Sequence, residues 1–252
     1  MIDLRKQVAL VTGGSRGIGA AAAILLAKAG ADVALTYQRD EHSAGNIAKA
    51  IKKLKRNCLL LQGSIERSDD CKRFAAETKR RFKRIDILVN SAGIWEYGEI
   101  GTMNVNDWLR TIDINLTGTF NMCNAVVPIM KKQQYGRIIT VSSTAGQRGE
   151  AFHSQYAASK GGVIAFTKSI AVELIRSGVW VNCVAPGWVD TDMAAPVFKN
   201  VKRKKEIVAT IPRGKVASPI EIAGPIVFLA SELANHIVGE VINVNGGSVL
   251  CG

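Results

Sequence analysis

Tyr156 and Lys160 stand four residues apart in Tyr156-Ala157-Ala158-Ser159-Lys160, a spacing that puts both side chains on one face of a helix. A free phenol titrates near ~10, so proton exchange near neutrality needs help worth a few pH units at about 1.4 kcal/mol each. A neighbouring ammonium is the obvious source. Ser142 and Ser143 end an apolar run that starts at Arg137. A serine hydroxyl at such a strand tip can hydrogen-bond a substrate oxygen as charge develops on it. Ordinary structural roles exist for both features, since Tyr-xxx-Lys pairs are common on helices and Ser-Ser often caps one.

A second feature lies near the start of the chain, where residues 8–11 run into Thr12-Gly13-Gly14-Ser15-Arg16-Gly17-Ile18-Gly19 and then an Ala-rich helix. Strand, glycine turn and helix N-terminus together make an anion site: backbone N–H groups point at a pyrophosphate, and missing side chains let it approach. Gly13, Gly17 and Gly19 follow the spacing Gly-xxx-Gly-x-Gly, which a tight turn packed on its helix would also require. The second strand should end at the adenosine ribose, where an acid favours NAD and a cation favours NADP. Tyr37-Gln38-Arg39 follows Leu35-Thr36, so Arg39 and Arg16 could clamp a 2′-phosphate and NADPH is favoured over NADH. Asp40 and Glu41 come next, which keeps the NAD alternative open.

These residues need a scaffold, and the apolar pattern supplies one. Residues 8–11, 32–36, 58–62, 85–89, 137–142, 179–185 and 240–244 read as about seven strands. Several are apolar at consecutive positions, as in strands buried on both faces of a parallel sheet. Helical stretches such as residues 18–29, 44–54, 70–82 and 156–177 lie between them. The pattern predicts an α/β fold: one doubly wound parallel sheet flanked by helices, a Rossmann fold, with residues 1–252 forming a single dinucleotide-binding and catalytic domain. Residues 194–211, with Lys199, Lys202, Arg203, Lys204 and Lys205, break the rhythm after a strand end, as either a lid or a solvated surface helix.

Composition narrows the class. The 252 residues are 47% hydrophobic and 21% charged, which excludes a disordered or collagen-like chain. No apolar run approaches the ~18 residues of a membrane span, and no signal peptide is expected. Cys58, Cys71, Cys123, Cys183 and Cys251 are scattered without CxxC spacing, so neither a disulfide framework nor a metal site is expected, and a reducing cytoplasm is the natural setting. The formal charge of +12 admits a nucleic acid, an acidic protein or a phosphorylated ligand. Its clusters lack interleaved aromatics or any reader motif, which ranks nucleic acid low. A cofactor-sensing protein without catalysis ranks low as well, because Ser143, Tyr156 and Lys160 are all present.

Thr12-Gly13-xxx-Gly17-x-Gly19, Asn90-Ser91-Ala92-Gly93, Asn115, Ser143, Tyr156-xxx-Lys160 and Pro186-Gly187 with Thr191 occur in that order. In this the chain resembles the short-chain dehydrogenase/reductase family over essentially its whole length. The resemblance implies that Tyr156 gives a proton to a substrate carbonyl that Ser143 orients. It implies that Lys160 lowers the phenol's pKa and holds the nicotinamide ribose, and that Asn115 holds a water in a relay to Lys160. Cofactor contacts would come from Gly13, Ser15, Arg16, Gly17, Ile18, Gly19 and Arg39, from Ser64 and Ile65 at the adenine, and from Asn90, Ala92 and Gly93. Pro186, Gly187, Val189 and Thr191 would seat the nicotinamide. Ser64 stands where the family usually has an acid facing the adenine amine, which implies altered affinity with the Ile65 backbone still available.

Within the family the chain is most similar to 3-oxoacyl-[acyl-carrier-protein] reductases, which implies an acyl-carrier-protein-linked or small-molecule substrate and a homotetramer. A sugar, polyol or small ketone is the alternative substrate class. Lys131, Lys132, Arg137 and Arg176 are expected to flank the active-site helices and attract an acidic carrier. Trp95, Arg148, His153 and Trp188 are expected to edge the substrate pocket.

Overall fold

The computed structural model describes residues 2–251. Its first half runs β1 (Val8–Thr12), α1 (Gly17–Lys28), β2 (Asp32–Tyr37), α2 (Glu41–Lys53), β3 (Cys58–Gln62) and α3 (Ser68–Phe82). The chain then returns through β4 (Ile87–Asn90), α4 (Val105–Ile112), a π-helical turn (Asp113–Thr117), α5 (Gly118–Gln133), β5 (Gly136–Val141) and α6 (Thr144–Arg148). It closes with α7 (Ser154–Leu174), β6 (Val179–Pro186), α8 (Ala195–Phe198), α9 (Val201–Ala209), α10 (Pro219–Leu229) and β7 (Val241–Val244). The seven strands are all parallel, in the order β3-β2-β1-β4-β5-β6-β7. This is the doubly wound architecture expected from the sequence. Strand order reverses between β1 and β4, which opens a crevice at their carboxyl ends.

Two apolar layers explain the consecutive apolar runs. Ala9, Val11, Val33, Leu35, Ile87 and Val89 pack under α1, α2 and α10 with Leu26, Ile51 and Ile226. Their alternates Leu10, Ala34 and Leu88 face α3, α5 and α7 with Phe74, Met122, Val126 and Leu174. Period two is present, but both phases are apolar because both faces are covered. The fourth strand starts two residues later than the pattern suggests. Ile85 is held out of the ladder by Gln133, whose side chain bonds both its N–H and its carbonyl, at 3.1 and 2.8 Å. The neighbouring Asp86 carboxylate accepts from the Val8 N–H instead.

The helices α4 and α5, which were not among the helical stretches read from the pattern, join through the π turn. One extra residue per turn there bulges the helix and re-aims the side chain of Asn115. The crossover helices run back against the strands, so α5 and α7 end where β5 and β6 begin. Lys131, Lys132 and Arg176 therefore gather at the amino end of the sheet, opposite the crevice, and Lys131 lies 3.9 Å from Glu173. Arg137 departs further from expectation: it is 1% exposed, held 4.2 Å above the Trp180 ring and bonded to Asn235. A guanidinium sandwiched against Trp180 and Tyr135 is part of the core, not a steering charge.

Candidate active site

The glycine turn sits at the top of β1. Gly13 has φ +63°, and a Cβ there would lie 2.9 Å from the Ala92 Cα. At Gly19 it would lie 2.3 Å from the Gly13 carbonyl, so the turn, the β4 loop and α1 approach each other only without side chains. Thr12 locks this contact, its hydroxyl accepting from the N–H groups of Ser91 and Ala92 at 3.0 and 3.1 Å. No side chain caps the start of α1, and its first turn holds no acid. Uncapped N–H donors at the positive end of a twelve-residue helix suit an anion. Beneath them Asn90 is 3% exposed with an unpaired Oδ1. Glycine cradle, open helix start and orphaned buried acceptor fit a dinucleotide.

Arg16 and Arg39 are both exposed beside this turn. Asp40 is spoken for: its carboxylate caps α2 by accepting from the Ser43 N–H at 2.8 Å. Its pKa is held below the ordinary carboxylate range chiefly by Ser43 and in smaller part by the charge of Arg16. Arg16 is thus near enough to Asp40, the residue after Arg39, for its charge to be felt there. After β3, the Ser64 N–H donates to Asp70 at 3.0 Å, and the Ile65 carbonyl accepts from Asn121 at 3.1 Å. Asp70, six residues downstream, organises the turn around Ser64.

Ser143, Tyr156 and Lys160 meet at the carboxyl ends of β5 and β6, lining one cleft of about 130 Å³. Ser143 caps α6 by accepting from the Ala145 N–H at 3.1 Å, which fixes its hydroxyl. Burial pushes the Tyr156 phenol up to about 12; hydrogen bonding with Ser143 opposes that, and the charge of Glu150 adds to it. Burial brings the Lys160 ammonium down to about 8. Its Nζ donates to the Val141 carbonyl at 2.9 Å and lies 5.8 Å from the Tyr156 ring centre. The sequence suggests a phenol lowered by Lys160; here burial, with the charge of Glu150, holds it above its ordinary range.

Asn115 is fully buried and ties three segments together. Its Oδ1 accepts from the Ile94 N–H at 2.8 Å, while its Nδ2 donates to the Ile94 carbonyl and to the Ser159 hydroxyl, each at 3.0 Å. On the opposite wall, the cleft is completed by Ser91, Gly93, Pro186, Gly187, Val189 and Thr191, with Ile18 below. Of the residues singled out in the sequence, Ile18, Gly93, Ser143, Tyr156, Lys160, Pro186, Gly187, Val189 and Thr191 line this one cleft, while Arg39, Ser64 and Ile65 lie outside its lining.

The enoyl-(acyl carrier protein) reductase family model matches residues 13–248. A 3-oxoacyl-[acyl-carrier-protein] reductase of Synechocystis sp. is 40% identical over 251 residues, 99% of this chain and 100% of the relative. The chain belongs to the short-chain dehydrogenase/reductase family. The corresponding reductase of Aquifex aeolicus is 39% identical over 98% of both chains. Among solved structures, levodione reductase superposes with a TM-score of 0.93 at 29% identity over 97% of this chain and 98% of that one. A putative gluconate dehydrogenase from Agrobacterium tumefaciens gives 0.94 at 29% identity, over 99% of each chain.

The wall of the cleft in this short-chain dehydrogenase/reductase is aromatic and charged. Trp95, Arg148 and Trp188 line it, together with Glu150, Met193 and Ala194, which sequence reasoning did not single out. His153 lies behind the wall, stacked on Trp95 at 4.2 Å with the rings 5° apart. The Trp95 Nε1–H donates to Glu150 at 3.3 Å. Two further bonds clamp the Trp95 loop to the segment before Tyr156: Gly98 N–H to the Phe152 carbonyl at 2.7 Å, and Gln155 Nε2–H to the Glu96 carbonyl at 2.9 Å. No spacing in the sequence signals pairings some 55 residues apart; among the residues making these bonds, only Trp95, expected at the pocket edge, points to this wall.

Proposed function

We propose that the protein is an NADPH-dependent reductase that converts 3-oxoacyl thioesters, carried on acyl carrier protein, into 3-hydroxyacyl thioesters. The observation that carries the reductase reading is the convergence of the Ser143 hydroxyl and the Tyr156 phenol in one cleft. Two neighbouring hydroxyl donors in one cleft suit a carbonyl oxygen on which charge develops. The thioester substrate is supported by the curated relatives named as 3-oxoacyl-[acyl-carrier-protein] reductases.

In this reading Gly13, Ser15, Arg16, Gly17, Ile18 and Gly19 hold the cofactor's pyrophosphate side, and Arg16 with Arg39 binds the 2′-phosphate that distinguishes NADPH. Ser64 and the Ile65 N–H face the adenine, and Asn90, Ala92 and Gly93 line the ribose side. Pro186, Gly187, Val189 and Thr191 seat the nicotinamide, which when bound supplies the hydride for the carbonyl carbon. Ser143 donates to the carbonyl oxygen and holds it. Tyr156 delivers its phenolic proton to that oxygen as the C=O π bond opens, so an O–H bond forms and a phenolate remains. Lys160 keeps a buried positive charge beside the phenolate, and Asn115 supports the relay that restores its proton. A phenol near 12 stays protonated at neutrality, the form a proton donor requires.

Arg148 and Glu150 in the cleft favour a second reading, a sugar, polyol or small polar ketone as substrate. Cofactor oxidation followed with acetoacetyl thioesters, simple ketones and sugars, using NADPH and then NADH, separates the two. Fast turnover of the thioesters with NADPH supports the first; activity confined to sugars or polyols refutes it.

We extend the reading to a cytoplasmic homotetramer. Exposed Trp108 and Leu109 on α4, Phe120 on α5 and Val172 on α7 support self-association, which light scattering tests. Among the described residues, no helix is long and apolar enough to cross a membrane.

A further inference from the structure

The reductase reading leaves one dense basic stretch near the cleft unused. Between the end of β6 and α10, Lys199, Lys202, Arg203, Lys204 and Lys205 fall within seven residues. Glu206 answers only Arg203, at 3.8 Å. Lys199, Lys202 and Lys205 are exposed and have no carboxylate partner among the described residues. The Asn200 side chain caps α9 by accepting from the Arg203 N–H at 3.0 Å, so the cations are displayed on an ordered helix. Like charges kept close together without counter-charges cost stability and suit a negatively charged partner.

This stretch connects directly to the cleft. Lys204 sits 5.4 Å over the Phe198 ring, Phe198 packs on Trp188 at 5.7 Å, and Trp188 meets Trp95 edge-on at 5.7 Å. Trp188, Met193 and Ala194 belong to the cleft wall, so the basic stretch stands at its mouth. Two apolar side chains lie beside the cations and face solvent, Met193 at 44% and Val201 at 67% exposure. Exposed apolar residues beside a largely cationic run, whose nearby acids are Asp190, Asp192 and Glu206, have the composition of a transient protein interface.

Resting on the reductase reading above, we propose that α8, α9 and the loop from Met193 form the docking surface for the acidic acyl carrier protein. The cations draw in and orient the carrier, Met193 and Val201 make the apolar contact, and the thioester arm passes over Trp188 to reach Ser143 and Tyr156. The cations at the opposite end of the sheet lack this geometry: Arg137 is buried, and Lys131 lies against Glu173. Rim charges of this kind set association rate and salt dependence more than chemistry.

The test is the double charge reversal Lys202→Glu with Lys205→Glu, assayed on acetoacetyl-acyl carrier protein, acetoacetyl-coenzyme A and the uncharged acetoacetyl N-acetylcysteamine thioester. The expected result is a rise of about tenfold or more in KM for the carrier-linked substrate, with kcat held and the salt dependence flattened. The N-acetylcysteamine thioester should react as with the parent enzyme. Equal losses on all three substrates would mean the segment acts as a lid, and equal losses on the two anionic ones would mean it reads phosphate; either overturns the proposal, as does no change on any. Calorimetric titration of holo-acyl carrier protein reads docking without turnover. If the parent enzyme reduces no thioester, the reductase reading falls, while carrier binding weakened by the reversal would still uphold the docking surface.

Discussion

Replacing Lys160 with methionine should make the protein more stable near neutrality while destroying its activity. The ammonium is 5% exposed, and burial brings its pKa to about 8 from 10.5. At about 1.4 kcal/mol per pH unit, the native state carries a charging penalty of about 3 kcal/mol whenever this lysine is protonated. Below pH 8 both folded and unfolded states hold the proton, and the penalty is felt in full. Between about 8 and 10.5 only the unfolded chain holds it, so the parent protein gains stability as pH rises through that window. Methionine fills similar space without charge but gives up the bond to the Val141 carbonyl, about 1 kcal/mol. Lys160→Met is therefore expected to be more stable by about 2 kcal/mol at pH 7 and about equal at pH 10, where about 1 kcal/mol of the penalty remains. Urea denaturation at the two pH values measures the difference. A variant less stable at pH 7, or a difference that ignores pH, would refute the buried-charge account.

Other perturbations test separate parts of the site and fold. Glu150→Gln removes a charge that raises the Tyr156 phenol, so the high-pH fall in reductase activity should move to lower pH, read from a pH–rate profile. Arg16→Ala with Arg39→Ala should raise KM for NADPH by about tenfold or more and leave NADH nearly unaffected, as expected for loss of charge-assisted bonds to a phosphate. Lys83 ends α3 with φ +71°, a conformation that costs a non-glycine residue about 1–2 kcal/mol. Lys83→Gly should therefore stabilise the fold by about 1 kcal/mol, a rise of a few degrees in Tm by calorimetry.

Much of this fold and site is legible in the sequence. Residues 8–11 and 179–185 stand out as strands because two-sided burial demands apolar residues in both phases. The glycine turn is legible because Gly13 and Gly19 leave no room for a Cβ. Tyr156 and Lys160 are legible because helical spacing is local. What stayed hidden depends on distant pairings. Arg137 reads as surface charge until Trp180 stacks on it, and Glu150 reads as a loop acid until Trp95 bonds to it. Residues 113–117 break helical periodicity because the π turn inserts a residue, and the reward for that break, the contacts of Asn115 with Ile94 and Ser159, lies 21 and 44 positions away. Sequence could name Lys160 as the partner of Tyr156, but not that burial would decide both of their proton affinities.

In the proposed reaction Tyr156 gives the proton to the reduced carbonyl, and Tyr156→Phe tests this most directly. The substitution keeps the ring and its packing and removes only the donor. NADPH should still bind, seen as a shift in its fluorescence, while kcat on the best thioester falls about a thousandfold or more. Full turnover by Tyr156→Phe would contradict it.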